Sequence, residues 1–294
     1  MEWKSVKNLL LVMLLLMNVV LGFFNYRQYQ ENVLTSSQEK AIYQVLSQNR
    51  IILYTDILTK FPPMRKLSLS APIYSRDEMK HQFFQQEEAS ITVEFNKTII
   101  TSETKTLTME GNKGQLSFLN GTREAKKVTL AEARKEAEEF MNSLSGKNVE
   151  NFEVGNVQEI RNGYKVTFFQ KYKGEYVFAN CFEVYVGERG ISYVTLNYYN
   201  TEGFTGDKKD ICFSDEALLT FLVEMEKERE ETGIYETVTI QKMELGYDFQ
   251  EMEDLKVDNV AKLVPCYRIY VLGKEKPYTI NAYTNEIIRE VKEG

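Results

Sequence analysis

CFEVYVGERG at residues 181–190 and CYRIYVLGKE at residues 266–275 are two versions of one strand pattern, and they begin 85 positions apart. Each version runs into an alternating, tyrosine-rich segment, ISYVTLNYYN in the first and KPYTINAYTN in the second. Alternation of apolar and polar residues is typical of a half-buried β-strand. The pair therefore indicates an internal repeat of antiparallel strands.

The same offset recurs at two predicted helices that precede these strands. TLAEARKEAEEFMNSL begins at Thr129, and SDEALLTFLVEMEKEREE begins at Ser214. Thr129 and Glu132 have capping-box spacing, whereas Ser214 opens a different, acidic start. Each unit is thus predicted to be a helix covering one face of three or four antiparallel strands.

The repeat makes two structural predictions. Residues 128–205 and 213–292 should superpose, and Phe140 and Met225 should be buried against the sheet. In the first unit, NGYKVTFFQKYKGEYVF reads as a hairpin that turns at Lys173-Gly174. In the second, the acidic segment at residues 250–260 interrupts the pattern and is interpreted as an inserted loop.

Residues 36–125 are interpreted as one α+β domain. A helix is expected over residues 37–48, with Ser36 and Glu39 as a capping box, and a shorter helix over residues 77–86. Strands are expected at NRIILYTDIL, KLSLSAPIY and ITVEF, followed by a hairpin, TKTLTMEGNKGQLSFLNG.

An apolar stretch at residues 6–24, VKNLLLVMLLLMNVVLGFF, precedes all of this. As a helix it spans roughly 28 Å, close to the thickness of a bilayer's hydrocarbon core. The stretch lacks the small-residue cleavage site of a signal peptide, which favours an uncleaved anchor. Lys4 and Lys7 lie before it and Arg27 after it, so the N-terminus is expected in the cytoplasm and the body outside.

Asn18 is a strongly polar residue deep in the anchor, and Gly22 lies one turn further along the same face. Leu11 and Leu14 extend that face toward the N-terminus. A polar side chain beside a small residue favours close approach of a second membrane helix. The alternative is that Asn18 is tolerated alone and Gly22 is incidental. Leu11, Leu14, Asn18 and Gly22 are the candidate partner-binding residues.

Composition limits the possible functions of the 294-residue chain. Its formal charge is −7 and it contains no basic stripe, so nucleic-acid binding is not expected. The three cysteines do not form a disulfide framework, and the preferred interpretation is three small apolar residues, although one pair could still bridge. The predicted organisation is a cytoplasmic tip and anchor (1–27), a stalk (28–35), a first domain (36–125) and two repeat units (126–206 and 207–294).

Motifs for catalysis are missing from the sequence. It has no glycine-rich phosphate loop, no Gly-x-Ser-x-Gly elbow and no Cys-x-x-Cys pair. The single histidine, His81, has no cysteine or second histidine near it, so metal binding is not expected. The chain is accordingly predicted not to be an enzyme and to need no cofactor.

The opening MEWKSVKNLLLVMLLLMNVVLGF resembles the start of the YycI regulators, which are relatives of YycH. The likeness continues through SSQEKAIYQVLSQNRIIL into the helix-plus-sheet repeats, which resemble PepSY-type modules. The resemblance implies a membrane-anchored accessory protein of an essential Gram-positive two-component histidine kinase. It also implies an extracytoplasmic body without catalysis and an anchor that contacts the kinase's own helices.

Three functions follow as hypotheses. The leading one is a single-pass protein that modulates the histidine kinase, with a related YycH-type accessory protein as a second candidate partner. The alternative is a PepSY-like inhibitor or chaperone of a secreted peptidase or cell-wall hydrolase. A weaker third is an envelope sensor with a small-molecule pocket. Replacing the anchor with an unrelated apolar helix distinguishes the first two, because only the first predicts that the helix carries the signal.

Overall fold

The computed structural model describes residues 3–72, 75–144, 149–250 and 260–289. These residues form five helices and fifteen strands. The helices are α1 (Trp3–Glu31), α2 (Ser36–Gln48), α3 (Arg76–Phe84), α4 (Leu130–Ser143) and α5 (Ser214–Thr232). The strands are β1 (Ile51–Leu53), β2 (Met64–Ser70), β3 (Ser90–Glu94), β4 (Lys97–Thr101), β5 (Lys105–Glu110), β6 (Lys113–Phe118), β7 (Phe152–Ile160), β8 (Gly163–Tyr172), β9 (Glu175–Gly187), β10 (Gly190–Asn197), β11 (Asn200–Lys209), β12 (Val238–Asp248), β13 (Val260–Val271), β14 (Tyr278–Asn281) and β15 (Glu286–Ile288).

The body is a mixed α+β structure built on one large sheet, and α1 is an apolar helix at its N-terminal end. This confirms the predicted fold class in its coarse form. The main path of the sheet runs β11-β2-β13-β12-β9-β10-β6-β5-β4-β3, with β7 and β8 paired beside β9. Most neighbours are antiparallel, whereas β12 pairs in parallel with both β1 and β9.

Two hairpins of the sheet have matching registers. In β9–β10, Cys181 lies opposite Asn197, and in β13–β14, Cys266 lies opposite Asn281. The strand before each hairpin also matches, because Phe169 and Gly246 lie opposite those two cysteines. The Lys173-Gly174 turn between β8 and β9 has positive φ at both residues, as a two-residue hairpin favours.

The two helices match at a spacing of 84 residues rather than 85. Buried residues of α4 are Ala133, Ala137 and Met141; their counterparts in α5 are Ala217, Phe221 and Met225. Met225 is buried as predicted, whereas the prediction for Phe140 is wrong, because Met141 faces the sheet there. Phe140 is half-buried and packs edge-on against Phe118. The connection between helix and strands is therefore one residue longer in the second unit than in the first. An offset of 85 taken from the strands consequently pairs Met225 with Phe140 instead of Met141.

Two apolar clusters form the core of the body. One lies around α5 and α2 and includes Leu67 and Leu69 of β2; the other lies under α4 and includes Ile100 and Leu107. The stretch 36–125 contributes to both clusters. β2 pairs with β11 and β13, while β6 pairs with β10. The domain boundaries stay a prediction.

Local boundaries differ from the sequence in small ways. The cap of α2 is Thr35 with Gln38, not Ser36 with Glu39, so the helix begins one residue earlier than predicted. Glu78 accepts a hydrogen bond from the backbone N–H of Ser75 at the start of α3, as the spacing indicated. Most of the acidic segment predicted as a loop, residues 251–259, lies outside the described residues.

Candidate functional site

The apolar segment of α1, Val6–Phe23, is 18 residues long and is not buried by the rest of the chain. Its described leucine, valine and methionine side chains are mostly more than half exposed. An exposed apolar rod of this length is unstable in water and matches the hydrocarbon thickness of a bilayer. The helix therefore fits a single-pass membrane anchor.

The four predicted contact residues lie along one exposed side of α1. Leu11 and Leu14 are 57% and 65% exposed, and Asn18 and Gly22 are also exposed. Asn18 Nδ2 donates a hydrogen bond of 2.9 Å to the backbone oxygen of Leu14. Its amide oxygen accepts no hydrogen bond among the described residues. A Cβ at Gly22 would meet nothing within 4 Å, so this face has room for a second helix.

A cluster of charged and aromatic side chains lies where β8 and β9 meet β12 and β13; we call it the junction cluster. Arg268 is paired with Asp248 at 2.5 Å, and both side chains are about one-sixth exposed, at 17% and 15%. The Arg268 guanidinium lies over the rings of Phe178 and Phe169, at 4.4 Å and 5.2 Å from their centroids. A guanidinium that is stacked and paired in this way joins the two strand pairs firmly.

The junction cluster continues along the same face of the sheet. Lys242 pairs with Glu244 at 2.6 Å and donates to the backbone oxygen of Gly155 in β7. Glu244 Oε2 and Tyr270 Oη are buried and have no hydrogen-bond partner among the described residues. Burial raises the pKa of the Tyr270 phenol, which stays protonated at neutral pH. The cluster is a structural contact with two unsatisfied polar atoms.

Sequence reasoning missed the junction cluster, although a signal was present. Arg268 interrupts the apolar strand KLVPCYRIYV, and Lys242 alternates with Glu244 in the strand opposite. Charged residues within paired strands usually face a partner. The opposite charges, Asp248 and Glu244, lie in the same unit, whereas the rings that cover Arg268 come from the preceding unit, which the spacing of the repeat does not specify.

The three cysteines are not bonded to one another in the structure. Burial raises the pKa of Cys181 and Cys212 to about 12, and it also raises that of Cys266. The thiols therefore stay protonated at neutral pH and are poor nucleophiles. Cys181 and Cys266 pack with Phe169 and Phe178 at the junction, as apolar residues.

An open groove of about 1130 Å³ lies at the turn end of β8–β10. Arg161 and Arg189 line it together with Glu159 and Glu188, so its wall carries charges of both signs. The stacked rings of Tyr185 and Tyr193, 4.0 Å apart, form part of the same wall. This groove is one place at which the small-molecule hypothesis can put its ligand.

Comparison with known proteins places the chain in a family. The sequence model of the family described as YycI protein matches residues 29–283. The match covers most of the chain, so the chain belongs to the YycI family. It begins after the apolar segment of α1, and the family membership therefore rests on the body. No curated protein matches the chain.

Two solved structures are similar in fold at low sequence identity. An uncharacterized protein from Eubacterium rectale is 12% identical, with a TM-score of 0.49, and the match covers 81% of this chain and 89% of that one. The Bacillus megaterium YpeB C-terminal domain is 14% identical, with a TM-score of 0.39, over 74% of this chain and 96% of that one.

Proposed function

We propose that this YycI-family chain is a non-catalytic, single-pass membrane accessory protein that modulates a two-component sensor histidine kinase. The observation that carries the proposal is the family match over residues 29–283. The matched body follows directly on an exposed apolar helix. Family membership supports a regulatory role in a two-component system. The partners we propose are the kinase itself and a related YycH-type accessory protein.

The proposed topology follows from the charges that flank the anchor. Lys4 and Lys7 precede the apolar segment and Arg27 follows it, so the N-terminus is assigned to the cytoplasm and the body to the outside. A reporter that is active only in the cytoplasm, fused after Gly294, should be silent. Strong reporter activity would reverse the assigned orientation.

The body is proposed to contain two PepSY-like modules, each with a helix on an antiparallel sheet. The matching registers around Cys181 and Cys266 and the matching buried faces of α4 and α5 support this. A PepSY-like inhibitor or chaperone of a secreted enzyme would bind its target through such a body, and its anchor would serve only to hold it at the membrane. Replacing the anchor with an unrelated apolar helix therefore distinguishes the two functions, because only the kinase modulator should lose activity.

The mechanism we propose places kinase contact on the Leu11, Leu14, Asn18 and Gly22 face of α1. One amide hydrogen of Asn18 already bonds to its own helix, which leaves the amide oxygen and the second amide hydrogen for a partner. An interhelical hydrogen bond of this kind is worth about 0.6–2 kcal/mol in a membrane. Gly22 permits the close backbone approach that this bond requires.

Substitutions in the anchor test this mechanism. Asn18→Leu removes the polar group, and Gly22→Leu adds bulk that the isolated chain accommodates. Both variants should insert and fold yet lose co-immunoprecipitation with the kinase from detergent-solubilised membranes. Leu16→Ala, on the opposite side of the helix, is the matched control. If both variants still co-immunoprecipitate the kinase as well as wild type does, the anchor only holds the protein at the membrane. The kinase-binding surface would then have to lie on the body.

A further inference from the structure

The part of the sheet formed by β9, β10, β6 and β5 has two unlike faces. Its inner face lies under α3 and α4 and is apolar. The inner residues, which are fully buried, are Val184, Val194, Leu116 and Leu107. Side chains alternate along a strand, so the residues between these four point to the opposite side, which we call the outer face. The outer side chains stay at least partly exposed and line an open groove of about 550 Å³.

Uncharged hydrogen-bonding groups dominate the lining of this groove. Its hydroxyl and amide side chains are Thr106, Thr108, Gln115, Ser117, Thr195 and Asn197. Hydroxyl and amide groups both donate and accept hydrogen bonds, so the surface can bind either kind of group on a ligand. The carboxylates of the lining are each paired with a lysine. Glu183 lies 3.1 Å from Lys165, and Glu110 lies 3.4 Å from Lys97.

Two tyrosine rings continue the groove toward the turn end of the strands. Tyr185 and Tyr193 lie opposite each other in the register of β9–β10, and their rings stack at 4.0 Å. Glu183 accepts a hydrogen bond of 3.1 Å from the Tyr185 hydroxyl, which joins the rings to the polar lining. Both rings also line the larger groove at the turn end. The two grooves thus form one surface, the outer trough, which follows β9 for roughly 20 Å from Cys181 to Gly187.

The lining of the outer trough selects one class of ligand. Five basic and five acidic residues line it, so it lacks the excess of positive charge that an anionic polymer requires. It also lacks the continuous apolar core that is typical of a protein interface. A neutral oligosaccharide presents hydroxyls around the edge of each sugar ring and C–H groups on the ring faces. The hydroxyls match the serine, threonine and amide side chains, and the C–H faces match the tyrosine rings.

The carboxylates of the polar groove are placed for binding rather than for cleavage. Enzymes that hydrolyse glycosidic bonds hold two carboxyl groups about 5–9.5 Å apart. Glu183 on β9 and Glu110 on β5 lie three strands apart, which is roughly 14 Å across the sheet. Glu183 is also occupied, because it pairs with Lys165 and accepts hydrogen bonds from the Tyr185 and Thr195 hydroxyls. Its contacts hold the lining in place.

We propose that the outer trough binds a neutral oligosaccharide chain that lies along β9 and β10. One sugar ring packs on the Tyr185–Tyr193 pair, and the hydroxyls of the next rings bond to the side chains of β10, β6 and β5. The matching face of the second unit is closed to such a ligand, because Phe169 and Phe178 cover Arg268 there. The proposal goes beyond kinase modulation and does not depend on it, since sugar binding is measured on this chain alone.

Titration with defined sugars tests the proposal. The full-length chain is placed in lipid nanodiscs, because a detergent with a sugar head group would compete for the trough. Chitohexaose and cellohexaose, two neutral chains of equal length, are the probes, and isothermal titration calorimetry measures their binding. At least one should bind saturably with a Kd below about 1 mM. An anionic chain of the same length, hexagalacturonate, should bind about tenfold more weakly.

Substitutions in the trough test where the sugar binds. Tyr193→Ala removes one ring of the stacked pair and should weaken binding about 5–10-fold. Thr195→Val removes a hydroxyl at nearly constant shape and should weaken binding about 3–10-fold. Tyr235→Ala, which changes an exposed tyrosine outside the trough, is the matched control and should bind as wild type does. All three variants should keep the circular dichroism spectrum of the wild type.

Three outcomes would overturn the proposal. In the first, neither neutral chain binds below about 1 mM. In the second, the anionic chain binds as tightly as the neutral ones, so that charge rather than hydroxyl recognition explains the binding. In the third, a neutral chain binds but neither Tyr193→Ala nor Thr195→Val weakens it, which would place the sugar elsewhere on the chain.

Discussion

The sheet faces that point away from α4 and α5 belong to matching hairpins, yet one is open to solvent and the other is covered. Glu183 and Arg268 occupy equivalent positions, each two residues after the matched cysteine. Glu183 lies in an open groove of about 550 Å³ and pairs with Lys165 at 3.1 Å. Arg268 is covered by Phe169 and Phe178.

The difference arises at a few equivalent positions. Phe169 lies opposite Cys181, whereas Gly246 lies opposite Cys266. Phe178, which packs edge-on against Phe169, occupies the space that the missing side chain of Gly246 leaves open. One copy uses its outer face to join the units, and the other keeps it free. The free outer face continues onto β5 and β6, toward the β3 edge.

The largest expected effect comes from removing the ring that closes the second unit's outer face. Phe178 is 2% exposed, so Phe178→Ala should lower the free energy of unfolding by about 3–5 kcal/mol. Tyr193→Ala, in the stacked pair on the open face of the first unit, should cost only about 1 kcal/mol. Denaturant unfolding of the full chain in detergent measures both. Equal losses would show that the two outer faces do not differ.

The sequence predicted the matching hairpin registers more reliably than the way the two hairpins pack against each other. Strand spacing placed Cys181 and Cys266 in matching registers, because alternation and turn residues are local properties. It misplaced the buried face of α4, where Met141 rather than Phe140 faces the sheet, because a one-residue difference in the connections leaves the strand pattern unchanged.

The pairing of strands that lie far apart in the chain could not be predicted from the sequence either. Nothing local to MRKLSLS, residues 64–70, indicates that it pairs with β11 and β13. The apolar helix α1 could be predicted because apolar length is a property of one segment. Its contact face stays a prediction, since a partner helix leaves no trace in a single chain beyond residues such as Asn18 and Gly22.

The second-largest effect is expected from removing one charge on each outer face of the sheet. Asp248→Asn weakens the pair with Arg268 and should cost roughly 2–3 kcal/mol, less than for a fully buried pair because both side chains keep some exposure. Glu183→Gln, at the open face, should cost less than about 1 kcal/mol. Thermal unfolding of matched preparations measures the difference. A larger loss for Glu183→Gln would invert the comparison.

A smaller effect is expected where the two units touch most closely. A Cβ at Gly246 would lie 2.7 Å from the backbone oxygen of Tyr176, so Gly246→Ala must shift the β9–β12 contact. We expect a loss of about 1–3 kcal/mol. Gly187→Ala is the control for lost glycine flexibility, since its backbone is not left-handed and a Cβ there meets only the backbone oxygen of Asn162, at 3.1 Å. If Gly246→Ala is no worse than Gly187→Ala, the junction is looser than the structure describes.

The smallest expected effect distinguishes the starts of α4 and α5 and appears only in acid. The backbone N–H of Thr129, the Lys126 ammonium and the Thr129 hydroxyl lower the pKa of Glu132 from 4.5 to about 2, whereas α5 begins after Phe213, which has no side-chain oxygen to cap the helix. Because the folded state depresses this pKa, the carboxylate stabilises α4 fully above about pH 4.5, and the stabilisation is lost as the pH falls toward about 2.

Glu132→Gln keeps a capping-box side chain but does not titrate. The stability difference between wild type and Glu132→Gln should therefore be constant near neutral pH and shrink between about pH 4.5 and pH 2. Thr129→Ala, which keeps the carboxylate and removes one donor, should move this acid-dependent part to higher pH. A wild-type advantage that is unchanged down to about pH 2 would show that the cap of α4 does not depend on the Glu132 charge.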